Sequence, residues 1–260
     1  MKMARSLVIS CFVSLIAISA FSQATKSPNQ TAGATIEQMP VQLETRYALS
    51  ALPPALRDKA TVYLLDPTKG YLLSRQGSSG VSCLVERTAW EQSDFRNDIY
   101  VPLCYDAAGS TTYLKVIMDA AALRAQGMSP VALKSEIQRR YADKRYQVPT
   151  RPGLSYMIAP IQRTWMMPDG HVHTAFGAHM MFYAPNMKDE DIGAVPNSSV
   201  LYPFVFKEGI PEQSYMVQLI GAAEKTKIMA DEKELLFDLC SYRSVLCFAP
   251  DDLGEKKEPK

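Results

Sequence analysis

ATVYLLDPTKGYLLS, Ala60 to Ser74, is the stretch that decides the fold class. Two apolar runs of period two, Ala60–Leu65 and Tyr71–Ser74, flank Asp66-Pro67-Thr68-Lys69-Gly70. Proline and glycine stand in that cluster where a hairpin turn needs them, so the stretch predicts two antiparallel strands. Gly77-Ser78-Ser79-Gly80 then leads into Val81–Thr88 (VSCLVERT), a third strand on which Cys83 alternates with Val81 and Val85 towards the core. A fourth strand is expected at Ile99–Tyr105, and the four are read as antiparallel neighbours with one face buried.

Downstream the period lengthens. Ser110–Gln126 reads as a helix stopped by Gly127, and Ser129-Pro130 opens a second that runs to about Arg145. Upstream, Val41–Leu52 has helical spacing and ends at Pro53-Pro54. Pro149 and Pro152 break the 147–153 segment, a possible subdomain boundary. Strands are expected again at Leu154–Ala159, Gln162–Met167, Val172–Tyr183, Leu201–Lys207 and Ser214–Ile220, with a last helix at Asp231–Ser241. Strands in blocks and helices in blocks make an α+β protein, with largely antiparallel sheet around a central pair of helices.

The ends indicate location. Lys2 and Arg5 precede Ser6–Phe21, sixteen residues without charge, and Ala20-Phe21-Ser22 places small residues before a cut ahead of Gln23. This is the plan of a cleaved signal peptide over 1–22, and the run is short of the ~20 apolar residues that cross a bilayer. Val8-Ile9-Ser10-Cys11 resembles a lipid-attachment motif, but the apolar run continues past Cys11 instead of ending there. A flexible leader is expected over 23–38, one α+β domain over 39–250 and a charged loose tail over 251–260. The expectation is a periplasmic or secreted protein with no transmembrane anchor after cleavage.

Removing Lys2 and Arg5, and no acid, takes the formal charge from +1 to −1. A near-neutral chain lacks the basic excess of a nucleic-acid binder. The most basic local stretch, Arg139, Arg140, Lys144, Arg145 and Arg151, falls at a predicted helix end, where the dipole favours cations. Cys83, Cys104, Cys240 and Cys247 remain, an even count that reads as two disulfides in an exported chain. Three pairings are open, and the local one, Cys83–Cys104 with Cys240–Cys247, is preferred.

All three histidines, His171, His173 and His179, fall in GHVHTAFGAHMMFYAP, Gly170–Pro185. The Met167–Gly170 turn makes His171 the start of a return strand, whose face would carry all three. Imidazoles beside Met157, Met166, Met167, Met180, Met181 and Met187 suit copper or zinc in an exported protein. On an unbroken strand, however, His171 and His179 stand roughly 26 Å apart, so a three-histidine metal site needs a chain reversal near Ala175–Gly177. No nucleophile elbow, phosphate loop or dinucleotide fingerprint occurs, and no cofactor is expected.

GSSGVSCLVERT, VPLCYD, LRAQGMS, RPGLSYM and HMMFYAPN, in that order, resemble segments of a group of uncharacterised exported bacterial proteins. The resemblance covers Ala51–Pro185 and falls on Cys83, Glu86, Arg87, Cys104, Asp106 and His179; His171 and His173 match nothing in it. It implies export and a Cys83–Cys104 pair, and no reaction. Glu86, Asp106 and His179 are therefore the weak catalytic candidates. Three functions are carried forward: a binding or envelope-accessory role with a small-molecule or envelope partner, a hydrolase-like enzyme, and a His/Met metal binder.

Overall fold

The turn chemistry of Asp66–Gly70 builds its hairpin: β1 (Thr61–Asp66) pairs antiparallel with β2 (Gly70–Arg75). Asp66 Oδ1 accepts the Thr68 amide at 2.8 Å, and Gly70 takes φ +91°, a left-handed conformation that costs glycine little. The structure is a computed structural model describing residues 35–166, 169–194, 203–210 and 212–248. The expected signal peptide, most of the leader, Met167-Pro168 and the tail lie outside these residues.

One of the expected pairings differs. β3 (Ser82–Glu86) joins β1 in parallel, Thr61 opposite Ser82 and Val62 opposite Cys83. β2 brings the chain back to the start of β1, and Gly77–Ser79 then crosses that end, Ser78 and Ser79 donating to the Lys59 carbonyl. A Cβ at Gly77 would collide with the Lys59–Thr61 backbone, so glycine permits the crossing. The next strand therefore enters on β1's other side, running the same way. β4 (Val101–Tyr105) is antiparallel to β3, with Cys83 opposite Cys104.

The eight-stranded sheet has the order β2-β1-β3-β4-β5-β8-β10-β9, completed by β5 (Leu154–Met157), β8 (His179–Tyr183), β9 (Phe204–Phe206) and β10 (Tyr215–Leu219). β6 (Gln162–Met166) and β7 (His171–Ala175) form a separate two-stranded sheet. The 147–153 segment leads straight into β5, which pairs with β4, so the sheet is continuous across it.

Helices cover both faces. α1 (Val41–Ser50) and α7 (Lys233–Tyr242) bury Tyr47, Ala48, Leu235 and Leu239 against Cys83, Val85 and Cys104. On the other face, α4 (Tyr113–Ala125) sets Tyr113, Leu114 and Ile117 against Leu84, Leu103 and Tyr105. α5 (Pro130–Ala142), N-capped by Ser129, packs Leu133 and Ile137 on Val116, Ala120 and Trp90. Because β3 and β4 are covered on both sides, they are apolar runs and not alternating ones. Truncating fully buried Leu84 to Ala would cost about 2–5 kcal/mol.

Short helices α2 (Pro54–Arg57) and α3 (Ala107–Ser110) complete the front half, and α6 (Ala222–Asp231) precedes α7. The last expected helix matches α7, but α6 was not anticipated; it buries no side chain, so its sequence carries no clear apolar stripe. The long helix expected from Ser110 begins earlier in pieces, because Asp106 caps α3.

Both local disulfides are present, Cys83–Cys104 with Cα atoms 4.1 Å apart and Cys240–Cys247 with 4.5 Å. The first closes a separation of 21 residues, which stabilises by about 3 kcal/mol on the chain-entropy account. Among the described residues no helix is long and apolar enough to cross a membrane. Three cations of the basic stretch are ion-paired: Arg139 with Glu136 and Asp143, Arg140 with Asp119 and Glu136, and Lys144 with Glu212.

Candidate functional site

The expected Val172–Tyr183 strand is two strands in two sheets. β7 pairs with β6, the chain leaves that ladder at Phe176–Ala178, and β8 enters the large sheet between β5 and β10. Gly177 packs so closely on the Gln162 side chain that a Cβ would collide with it. This break does not gather the histidines. His173 Nε2 lies 2.7 Å from Asp169 Oδ2 on the exposed hairpin, while half-buried His179 pairs its Nδ1 with the Gly177 carbonyl at 2.5 Å. Burial holds the His179 ring below its usual pKa, partly offset by that carbonyl. Among the described residues no three His, Cys, Asp or Glu side chains are placed to hold a metal ion. The three-histidine site is therefore corrected to two unconnected local contacts.

Asp106, Glu86 and His179 are also apart. Glu86 faces Val101 while Ser82 faces Tyr105, so Glu86 and Asp106, one residue past Tyr105, stand at opposite ends of the β3–β4 ladder, roughly 16 Å along it. His179 sits opposite Met157 and Leu219, three strands from β3. Asp106 is a structural knot: Oδ1 accepts the Gly109 amide at 2.9 Å and Oδ2 the Leu154 amide at 3.2 Å. The Tyr183 hydroxyl lies 2.9 Å from both Asp106 Oδ1 and the Leu154 carbonyl. A Cβ at Gly109 or Gly153 would strike this cluster, so glycine at both positions lets the cluster form. The structure does not bring the three weak catalytic candidates together.

Glu86 is different. On β3 it shares a face with Leu84, the inner face of the sheet, towards α4. That face is strongly curled: side chains stand perpendicular to a sheet, so tyrosines three strands apart would hold their hydroxyls about 14 Å apart if it were flat. Tyr105 of β4 and Tyr215 of β10 are three strands apart, and their hydroxyls are 3.2 Å apart. Tyr113 of α4 fills the space between, its ring centroid 4.5 Å from Tyr215 and 4.9 Å from Tyr183, with its hydroxyl donating to the Ser214 carbonyl. Burial raises all four hydroxyls above their ordinary values, so they remain protonated donors at neutral pH.

Curling brings the end of β9 to the segment after β3. Lys207 Nζ meets Glu91 Oε1 at 2.8 Å and Gln213 Oε1 at 2.9 Å, and stands 5.7 Å over the Trp90 ring. Lys207 holds φ +58°, left-handed backbone that costs a side chain roughly 1 kcal/mol. Its carbonyl accepts the Ser214 hydroxyl at 2.7 Å, which fixes the turn.

On this interior the side chains of Ser155 and Glu86 make no hydrogen bond among the described residues. Ser155, opposite Tyr105 on β5, is fully buried and its Oγ makes no hydrogen bond. Glu86 is half-buried and its carboxyl makes neither hydrogen bond nor ion pair, while its neighbours Glu91 and Lys207 satisfy each other. Desolvation pushes the Glu86 carboxyl up to about 8; the Glu91 charge adds to the rise and Lys207 opposes it. At neutral pH Glu86 is therefore mostly protonated, able both to donate a hydrogen bond and to lose a proton. In native proteins such unpartnered groups are few and ask for a reason.

Elsewhere the polar interior is consumed. Arg163 pairs with Asp98 at 2.7 Å, and Asp98 with Arg96 at 2.7 Å. Arg87 lies 3.8 Å over the Tyr100 ring and donates to the Ile99 and Asn97 carbonyls. Glu44 of α1, buried and accepting the Leu65 amide at 3.0 Å, is pushed up to about 7 by desolvation. A cavity of about 470 Å³ opens between the β6–β7 hairpin and Ser244–Cys247, with Arg163 and His173 in its wall. Another of about 400 Å³ lies by Arg124 and the start of α5.

Of the three weak catalytic candidates, Glu86 alone makes no side-chain hydrogen bond or ion pair among the described residues. Glu91, Lys207, Ser155 and the four tyrosines were not anticipated. They come from a 3-10 helix, α4 and five different strands or strand ends, and only the curl unites them. Comparison with known protein families, curated proteins and solved structures returned no match.

Proposed function

We propose that this is an exported binding protein whose ligand contacts the tyrosine-lined interior at Ser155. The observation that carries the reading is that Ser155 Oγ is buried without a hydrogen-bond partner, while the hydroxyls of Tyr105, Tyr113, Tyr183 and Tyr215 on the same face all have one. A ligand offering a hydrogen bond would satisfy it, and burial would strengthen that bond. Export rests on the charged-then-apolar start of the chain, on two disulfides and on the resemblance to exported bacterial proteins. The mature chain is expected to begin at Gln23 and to be recovered from the periplasm or medium.

Thermal unfolding of wild type and Ser155→Val in a small-molecule panel tests the site. A compound that raises the wild-type Tm and leaves the variant's unchanged supports it; compounds that stabilise both equally place binding elsewhere. One observation favours a second reading. Glu86, raised to about 8, and Glu91, whose charge acts on it and which pairs with Lys207, are two carboxyls in different settings, as acid–base hydrolases use. Turnover of chromogenic glycosides or esters by wild type, lost in Glu86→Gln, would favour hydrolysis over binding.

A further inference from the structure

The cavity between the β6–β7 hairpin and Ser244–Cys247 lies apart from the tyrosine interior: neither Ser155 nor any of the four tyrosines lines it. Its volume of about 470 Å³ is that of a small-molecule pocket. Arg163 of β6, only 9% exposed, supplies the permanent positive charge in its wall. Thr174 stands opposite on β7 and accepts the Arg163 Nη1 donor at 3.0 Å, and its own hydroxyl donates to the Val245 carbonyl. These bonds tie β6, β7 and the 3-10 helix Ser244–Leu246 into one wall. The Cys240–Cys247 disulfide fastens that wall to α7. The wall is therefore set before any ligand arrives, which spares the cost of ordering it on binding.

Arg163 is placed by its bonds and not exhausted by them. Nε and Nη2 meet Asp98 Oδ2 at 3.1 and 2.7 Å and Nη1 meets Thr174, which leaves part of a five-donor fork unspent. Asp98 is also held by Arg96 through both carboxylate oxygens, so its charge is divided between two guanidiniums. The acids of the adjoining segments are engaged: Asp169 by His173 and the His171 amide, Glu37 by Tyr242 and Arg243. Among the described residues no acidic side chain lines the cavity, while Met166, Val172, Ala175 and Val245 give it apolar walls. A guanidinium fork matches a carboxylate through parallel bonds, and apolar walls take what that carboxylate carries. We propose that this cavity is a second binding site, for a small monocarboxylate with an apolar body, whose carboxylate is received by Arg163. Inorganic phosphate, with more charge and no apolar surface, matches neither the single guanidinium nor the walls.

The test is an NMR titration of the full mature chain, ¹⁵N-labelled at arginine, with benzoate, benzamide, inorganic phosphate and potassium chloride. Benzoate is expected to shift the Arg163 Nε–H resonance, assigned with Arg163→Lys, and benzamide to bind about tenfold more weakly for want of the charge-assisted bond. Ala175→Phe adds bulk to the wall and keeps the Arg163–Asp98 pair. It should weaken benzoate binding about tenfold while the circular-dichroism spectrum stays that of wild type. Ser155→Val should bind benzoate as wild type does, so failure of the Ser155 reading and failure of this one are told apart. Benzamide binding as tightly as benzoate would show an apolar cavity without anion recognition and overturn the proposal. Phosphate binding more tightly than benzoate, or an equal shift with potassium chloride, would overturn the carboxylate assignment. No movement of Arg163 at saturating benzoate, or undiminished binding by Ala175→Phe, would show that the cavity is not the site.

Discussion

The Asp169–His173 hairpin and the Glu86 interior are both clusters of titratable groups, and they differ in what surrounds them. His173 and Asp169 pair at 2.7 Å with their side chains 48% and 46% exposed, so water competes for every bond they make. Glu86 sits by Tyr105 and Tyr71 on the Leu84 face, where desolvation disfavours its charge and its carboxyl rises to about 8. The histidines draw attention by rarity and proximity in sequence; the glutamate matters by enclosure. Chemical potential in a folded chain follows desolvation more than residue type.

The largest effect expected on this contrast concerns Asp106, which supports the interior without facing it. Asp106→Ala removes the acceptor for the Gly109 and Leu154 amides and for the Tyr183 hydroxyl. A loss of roughly 3 kcal/mol is expected in urea unfolding. A loss below about 1 kcal/mol would mean the knot is not holding β4, β5 and β8 together.

Next in size is the pH dependence of stability. A carboxyl raised from 4.5 to about 8 keeps its proton in the folded state after the unfolded chain has lost it. Between those values the folded state binds more protons, so its stability falls as pH rises and is not regained at higher pH. Glu86→Gln should therefore match wild type near pH 4 and exceed it by roughly 2 kcal/mol at pH 8, allowing for partial exposure. Equal stability at both pH values would contradict the enclosed reading of Glu86. Glu44→Gln should act in the same direction over a narrower window, 4.5 to about 7, with the lost Leu65 amide bond reducing the gain.

The smallest effect is expected at the hairpin. His173→Ala should change stability by less than about 0.5 kcal/mol, as for an exposed pair. Elemental analysis of chelator-free protein should find no metal dependent on the histidines, and one equivalent lost in His171/His173→Ala would reverse the ranking of the two regions.

The sequence shows much of the frame and little of the interior, for a physical reason. The β1–β2 hairpin is legible because Asp66–Gly70 encodes its own turn, and α5 because Ser129-Pro130 encodes its own start. The Cys83–Cys104 pair follows from local strand neighbours. The break at Phe176–Ala178 is not legible, since its composition suits a strand and the cause is Gln162 packing on Gly177. Nor is the parallel β1–β3 pairing, which depends on where Gly77 crosses. Glu86 stood out among the candidates, but its setting did not. Lys207 reaches Glu91, and Tyr215 reaches Tyr105, through the curl of the whole sheet, a property no short stretch carries.

The most direct test of this account is the titration midpoint of the Glu86 carboxyl, followed by ¹³C NMR from pH 4 to pH 10 with Glu86→Gln to assign the resonance. A midpoint near 8 is expected from its burial beside Glu91. A midpoint near the ordinary 4.5 would show a solvated, charged glutamate and would contradict the central claim that this interior holds an unpartnered acid.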